Sequence, residues 1–349
     1  MFKAKIYSAL LVITLFTFFI SGCSEDVVNP PVSSDIDYNA VYVVNGEGNS
    51  ISVIDISTNQ VRRTISLSNV MWPHHINMNP AKTKVAIGIP GVDLSGGHGG
   101  HADHEGMFVV LDAKTGSILG TRTLPNINHN AIFSPDGSEI WTAVAHEMGM
   151  VYVYNSENLS LKDSVEVGNT PLEVTFSSDG SMAFVANNMS DNVTAIDAMN
   201  KTVMATIPVG TMPIGAWTCA NNKMYVDNEM GQSISVINVA TMTVEETVAL
   251  GFTPGFAAYN SQMNELWVTN EDAGRVEILH RMNNEWHPKT NVATGNGAHA
   301  ISFSSDGMTA YVTNQLGGTV SVINVNTRTK TTDITVGTKA NGLLIRYPN

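Results

Sequence analysis

The sequence predicts an all-β fold, a seven-bladed β-propeller of four-stranded blades closed by pairing its C-terminal strand with its N-terminal blade. Three observations predict it. One short string is written five times, as Val41-Tyr-Val-Val-Asn45, Phe184-Val-Ala-Asn187, Tyr225-Val-Asp-Asn228, Trp267-Val-Thr-Asn270 and Tyr311-Val-Thr-Asn314. A period of about 40 to 44 residues means a solenoid, propeller or array. Each repeat divides into four short β-branched and aromatic stretches separated by turn residues, and residues 39–349 contain no convincing amphipathic helix.

The elements follow in order. Lys3 and Lys5 precede an apolar run from Ile6 to Ile20 and then Ser21-Gly22-Cys23, which reads as an export signal over residues 1–22, short for a membrane span. Residues 23–38 hold Pro30, Pro31, serines and acids and read as a flexible tether. The propeller occupies 39–349. Within each repeat we denote the strands A to D from the channel outward. B strands are expected at 41–45, 84–90, 139–145, 183–188, 223–228, 265–270 and 310–314. C and D strands follow each B, and A strands precede six of them, at 74–78, 129–133, 171–176, 213–218, 254–259 and 298–303. A seventh A strand stands alone at 341–347. Pairing it with 41–45 completes seven blades and removes an open sheet edge. Ser134-Pro-Asp-Gly137, Ser177-Ser-Asp-Gly180 and Ser304-Ser-Asp-Gly307 mark A–B hairpins, with glycine supplying the positive φ.

The repeated string resembles that of the YVTN-repeat propeller family over nearly all of residues 39–349. Relatives by that resemblance are surface-layer proteins, the cytochrome d1 domain of nitrite reductases and the N-terminal domain of nitrous oxide reductase. The resemblance specifies fold and leaves activity open. Ile20-Ser-Gly-Cys23 resembles a bacterial lipobox, which implies lipidation of Cys23 and retention at the cell envelope. Ser24 at the second mature position implies, by the same resemblance, the outer membrane, facing periplasm or surface.

Where the repeats differ, histidine gathers. Four residues before equivalent A-strand anchors stand His74, His129, Leu172, Ile214, Gly255, His299 and Asn341, so three blades offer imidazole in one register. His75 makes an adjacent pair. D–A and B–C connections emerge on one face, and the long B–C loop 91–106 carries His98, His101 and His104 there, while the next carries His146, Met148 and Met150. Imidazole is the common protein ligand of late first-row metals, and thioethers favour copper(I). His74, His129 and His299 are therefore expected to ligate a metal, copper ahead of zinc. His75, His146, His98, His101 and His104 are expected as auxiliary ligands or lid. A polar water-filled lining or a direct small-ligand site suits the same trio, a solvated loop suits residues 98–104, and surface packing suits the methionines. His280 and His287 fall on outer strands and read as structural. Glu173 reads as a general base or a hydrogen-bonded lining group, and Trp72, Trp217 and Phe256 as ligand-stacking or inter-blade packing residues. Nitrous oxide reductase binds copper through channel histidines that include an adjacent pair, which His74-His75 resembles. That enzyme uses more of them and has a cysteine-bound copper domain without counterpart here.

Several classes are excluded or disfavoured. The formal net charge is −13, and residues 1–22 contribute lysines and no acid, so the mature surface is more acidic still and opposes nucleic acid. Only Cys23 and Cys219 are present, without the Cys-x-x-Cys-His of an attached c-type haem. Nucleophile-elbow, zincin, phosphate-loop and dinucleotide motifs are absent. A binding, sensing or delivery protein is the expectation. The alternatives are a scaffold gripping an envelope protein or surface polymer, and a cofactor-dependent reductase or lactonase-like enzyme. Related lactonases place arginine in the channel, which this ring lacks.

Overall fold

The structure, a computed structural model, describes residues 35–95, 104–219 and 221–348, besides Met1. The signal over 1–22, Cys23 and most of the tether lie outside the described residues, as do His98 and His101.

Seven four-stranded antiparallel sheets stand in a ring. Six are continuous in sequence. The seventh takes its inner strand, Ala340–Arg346, from the chain's far end and pairs it with Ala40–Asn45, as the strand count requires. The final four residues of the expected tether already belong to this body. Ile36 is wholly buried, its N–H donates to Lys114 O (2.8 Å), and Arg346 Nη1–H donates to its carbonyl (2.6 Å).

The repeated string explains itself by alternation, since successive side chains of a strand face opposite sides. Tyr42 and Val44 join a core cluster with the next blade, whereas Val41 and Val43 join one with the previous blade. Seven such clusters line the seven blade interfaces. The aromatic letter of the string is buried at these interfaces: Tyr42, Phe184, Tyr225, Trp267 and Tyr311 are all essentially inaccessible.

The closing asparagine fastens the blade. Asn45 Nδ2–H donates to Ser50 and Ser52 Oγ (3.0 Å each), and its Oδ1 accepts from Gly337 N–H (3.0 Å) in the incoming D–A connection. Asn187 and Asn314 repeat the pattern with Gly168 and Gly295. Only glycine fits opposite: a Cβ on Gly337 would lie 2.5 Å from Asn45 Cγ.

Two elements are shorter than the sequence pattern predicts. The inner strands expected at 74–78 and 129–133 reduce to Ile76–Met78 and Ile132–Phe133. The histidines lie just before these shortened strands.

Candidate metal centre

Most inner strands carry a β-bulge at one common level. Pro171 pairs with Asn187 and Val174 with Val185, so Leu172 and Glu173 together oppose Ala186. The same shift separates Pro213 from Ala216, Pro254 from Ala257 and Ala298 from Ile301. A bulge sets two consecutive residues against one, so two neighbouring positions per blade reach the channel wall. At His74-His75 the single opposing residue is Gly88. It accepts from His74 N–H (2.9 Å) and donates to His75 O (3.0 Å). A Cβ on Gly88 would sit 2.6 Å from His129 O, so glycine there lets the next blade's histidine backbone close in.

Four imidazoles consequently meet. Ring centroids lie 4.2 Å apart for His74–His129, 4.4 Å for His74–His75, 5.1 Å for His75–His129, 5.4 Å for His74–His299 and 5.6 Å for His75–His299. Glu173, 1 % exposed, completes the cluster. Its Oε1 lies 2.5 Å from His129 Nδ1 and 3.1 Å from His75 Nε2, and its Oε2 accepts from Asn130 Nδ2–H (3.3 Å). Two triads, His74–His75–His299 and His75–His129–Glu173, bring one ligand atom per residue within 4.8 Å of one another. Such spacing closes on an ion about 2 Å from each donor with small side-chain shifts. His75 belongs to both triads.

Burial by itself raises the Glu173 carboxyl, but the positive charge available on His75 and the hydrogen bonds from His129 and His75 outweigh it and hold the group at about 2. Asp227 goes the other way. Burial, then the charge of Glu173, raise it well above its ordinary value, although Gly215 N–H (3.1 Å) and Trp217 Nε1–H (2.8 Å) donate to its Oδ1.

The cluster divides the channel. On the B–C face lies a cavity of about 230 Å³ lined by His75, His129 and His299 together with Glu173, Glu229, Glu271 and Asp272. On the A–B face lies a wider one of about 740 Å³. His75, Glu173 and Trp217 line both, so they form the partition. Among the described residues neither cavity is lined by lysine or arginine. The described start of the long B–C loop covers the narrow mouth. Leu94 packs with Leu172 and Ile214, and Lys339 Nζ–H donates to Ser95 Oγ (2.6 Å) from the neighbouring blade.

Of the sequence-derived candidates, His74, His75, His129 and His299 converge. His104 is exposed and belongs to neither triad. His146 is exposed and lines a separate groove with Met148, Met150, Tyr152 and Glu166, so the thioethers stand away from the channel cluster. His280 pairs with His287 on the outer strands. Glu173 is a hydrogen-bonded lining group, one of the two roles the sequence offered for it, and its partners are the His129 and His75 imidazoles and the Asn130 amide. Glu173 holds the bulge's second position, and His75 and Asn130 hold the equivalent places in the two preceding blades.

A family model described as YNCE-like β-propeller matches residues 15–345. Among solved structures, the chain is similar to the periplasmic gluconolactonase of Pseudomonas aeruginosa at 17% identity and TM-score 0.70, covering 89% of this chain and 99% of that one. It is similar to a putative 6-phosphogluconolactonase of Bacteroides fragilis at 15% and 0.71, again covering 89% and 99%. Similarity to a dihydro-haem d1 dehydrogenase in complex with DHE stands at 12% and 0.63, over 90% of this chain and 77% of that one. Identities this low show the fold alone. No curated protein matches the sequence.

Proposed function

The chain belongs to the YNCE-like β-propeller family, a fold that hosts many chemistries, and we propose that it is a lipid-anchored protein of the bacterial cell envelope that binds a divalent first-row metal ion in its channel. Copper(II) comes first and zinc second. The role is binding, sensing or delivery.

The single observation that carries this reading is the convergence of His74, His75, His129 and His299 on the buried Glu173 carboxylate. Packing four largely buried imidazoles beside one another costs free energy unless a cation organises them. Imidazole and carboxylate together suit zinc and copper(II), and copper(II) binds such donors more tightly in the general order of divalent affinities. Copper(I) loses its support, because Met148 and Met150 line another groove. Glu173 orients as well as charges the site: by accepting from His129 Nδ1–H it leaves the Nε2 lone pair of a neutral ring as the coordinating one. The carboxylates of the narrow cavity, Glu229, Glu271 and Asp272, draw cations towards it. A lactonase-like role finds no arginine among the described residues that line the cavities.

Elemental analysis of protein isolated without chelator tests the reading. About one equivalent of copper or zinc in the parent protein and none in the His74→Ala/His129→Ala/His299→Ala variant is expected, and equal contents would end it. The anchor rests on Ile20-Ser-Gly-Cys23. Labelled fatty acid should enter the parent and not Cys23→Ala. An envelope partner is a second reading. It is supported by Met189, Met230 and Leu316, exposed at B–C turns around the narrow mouth, and capture from envelope extracts that ignores chelator would favour it.

A further inference from the structure

The wide half of the channel is unused by the metal reading. Its about 740 Å³ falls within the range of small-molecule sites, and its wall is aromatic where it meets the cluster. Trp217 and Phe256 stack at 3.9 Å between centroids and 29° between planes, and both are partly buried, each packed on one side against an inter-blade core cluster while lining the cavity on the other. They stand 6.0 Å and 6.4 Å from the His75 ring. Trp217 is held in place. Its Nε1–H donates to Asp227 Oδ1 (2.8 Å), and its six-membered ring lies against Gly215, where a Cβ would come within 2.4 Å of Cζ2. Two large rings that leave part of their apolar surface open to the cavity, with hydrogen bonding and a close glycine fixing the orientation of one, carry a hydration cost that a bound apolar body would recover. Beside them the floor is polar, formed by His75, Asn130 and Glu173.

We propose that this cavity binds a planar aromatic small molecule carrying an anionic oxygen donor, its rings laid against Trp217 and Phe256 and its oxygen directed at the His75 end of the partition. The proposal rests on the metal reading for its polar end only. An ion on the histidines offsets the charge of Glu173 and gives the oxygen a partner, whereas the stacking wall is independent of any ion. Apolar contact supplies affinity and the single polar end fixes orientation. Trp217 and Phe256 are binding residues here, with no chemical step assigned to them.

The probe is 2-naphthoate, titrated into metal-free and zinc-loaded full chain by calorimetry, with the quenching of Trp217 fluorescence as a second readout. Saturable one-to-one binding to the loaded protein is expected, weakened about tenfold by Trp217→Leu and by Phe256→Leu, as the loss of one aromatic contact implies. Zinc content should stay unchanged in both variants, and matching far-ultraviolet dichroism shows that they fold. Parent-like affinity in both variants, or no saturable binding to the loaded parent, overturns the proposal. Failure to take up zinc sinks the metal reading instead. Naphthoate binding to that same protein, if still sensitive to Trp217→Leu, keeps the aromatic site standing.

Discussion

Glu173 draws His75 and His129 from two other blades onto one carboxylate, and its low titration makes it a stabilising charge. Folded, the group titrates near 2 against an ordinary 4.5. A depressed carboxyl contributes stability above its unfolded value and loses it as pH falls through the folded one. Glu173→Ala should therefore cost about 1–3 kcal/mol at pH 7, the penalty for stranding buried donors, and the difference from the parent should shrink between pH 5 and pH 2. Urea titrations across that range check it. A constant difference would show the charge to be irrelevant. Asp227 behaves oppositely, because a raised carboxyl favours the folded state only while protonated. Asp227→Asn keeps an oxygen for Gly215 N–H and Trp217 Nε1–H, so it should raise Tm at pH 8 and match the parent near pH 4. A lower Tm at pH 8 would contradict this. Sequence made His74, His129 and His299 legible because they share a register. It did not decide between the two roles read for Glu173, whose partners come from other blades and whose inward position depends on a bulge.

At the scale of the element, the terminal asparagine of strand B is the fastening that the repeat preserves. Asn45 and Asn314 each join two side-chain oxygens of the next strand to the N–H of an incoming glycine. Alanine at either position strands those groups and should cost about 1–3 kcal/mol. Asn270, whose Oδ1 accepts from Ala273 N–H, should cost less. Chemical denaturation of the three variants gives the ranking, and equal losses would deny the clasp. The letters of the repeat announced strands, while the reason for its asparagine emerged only once the D–A connection lay beside it. The inner strands at His74 and His129 are shorter than the apolar pattern predicts for a related reason. Apolar pattern locates a strand, but it does not show that two consecutive residues, His74 and His75, share the single partner Gly88 and so interrupt the regular pairing.

For the whole molecule, closure was legible by counting, since three strands at one end and a spare at the other leave one way to finish the ring. Deleting residues 340–349 should uncover the edge of Ala40–Asn45 and yield broadened unfolding and larger species on size exclusion. An unaltered monomer with sharp unfolding would contradict the dependence on closure. The partition of the channel into a narrow acidic half and a wide aromatic half was not legible, because it is the sum of positions drawn from every blade. That partition is also where the functional claim stands or falls. Electron paramagnetic resonance of the protein loaded with one equivalent of copper(II) examines it most directly. A single signal with nitrogen hyperfine splitting, abolished by His75→Ala because both triads share that residue, is the predicted result. A spectrum of hydrated copper, or a nitrogen-split signal that survives His75→Ala unchanged, would contradict it.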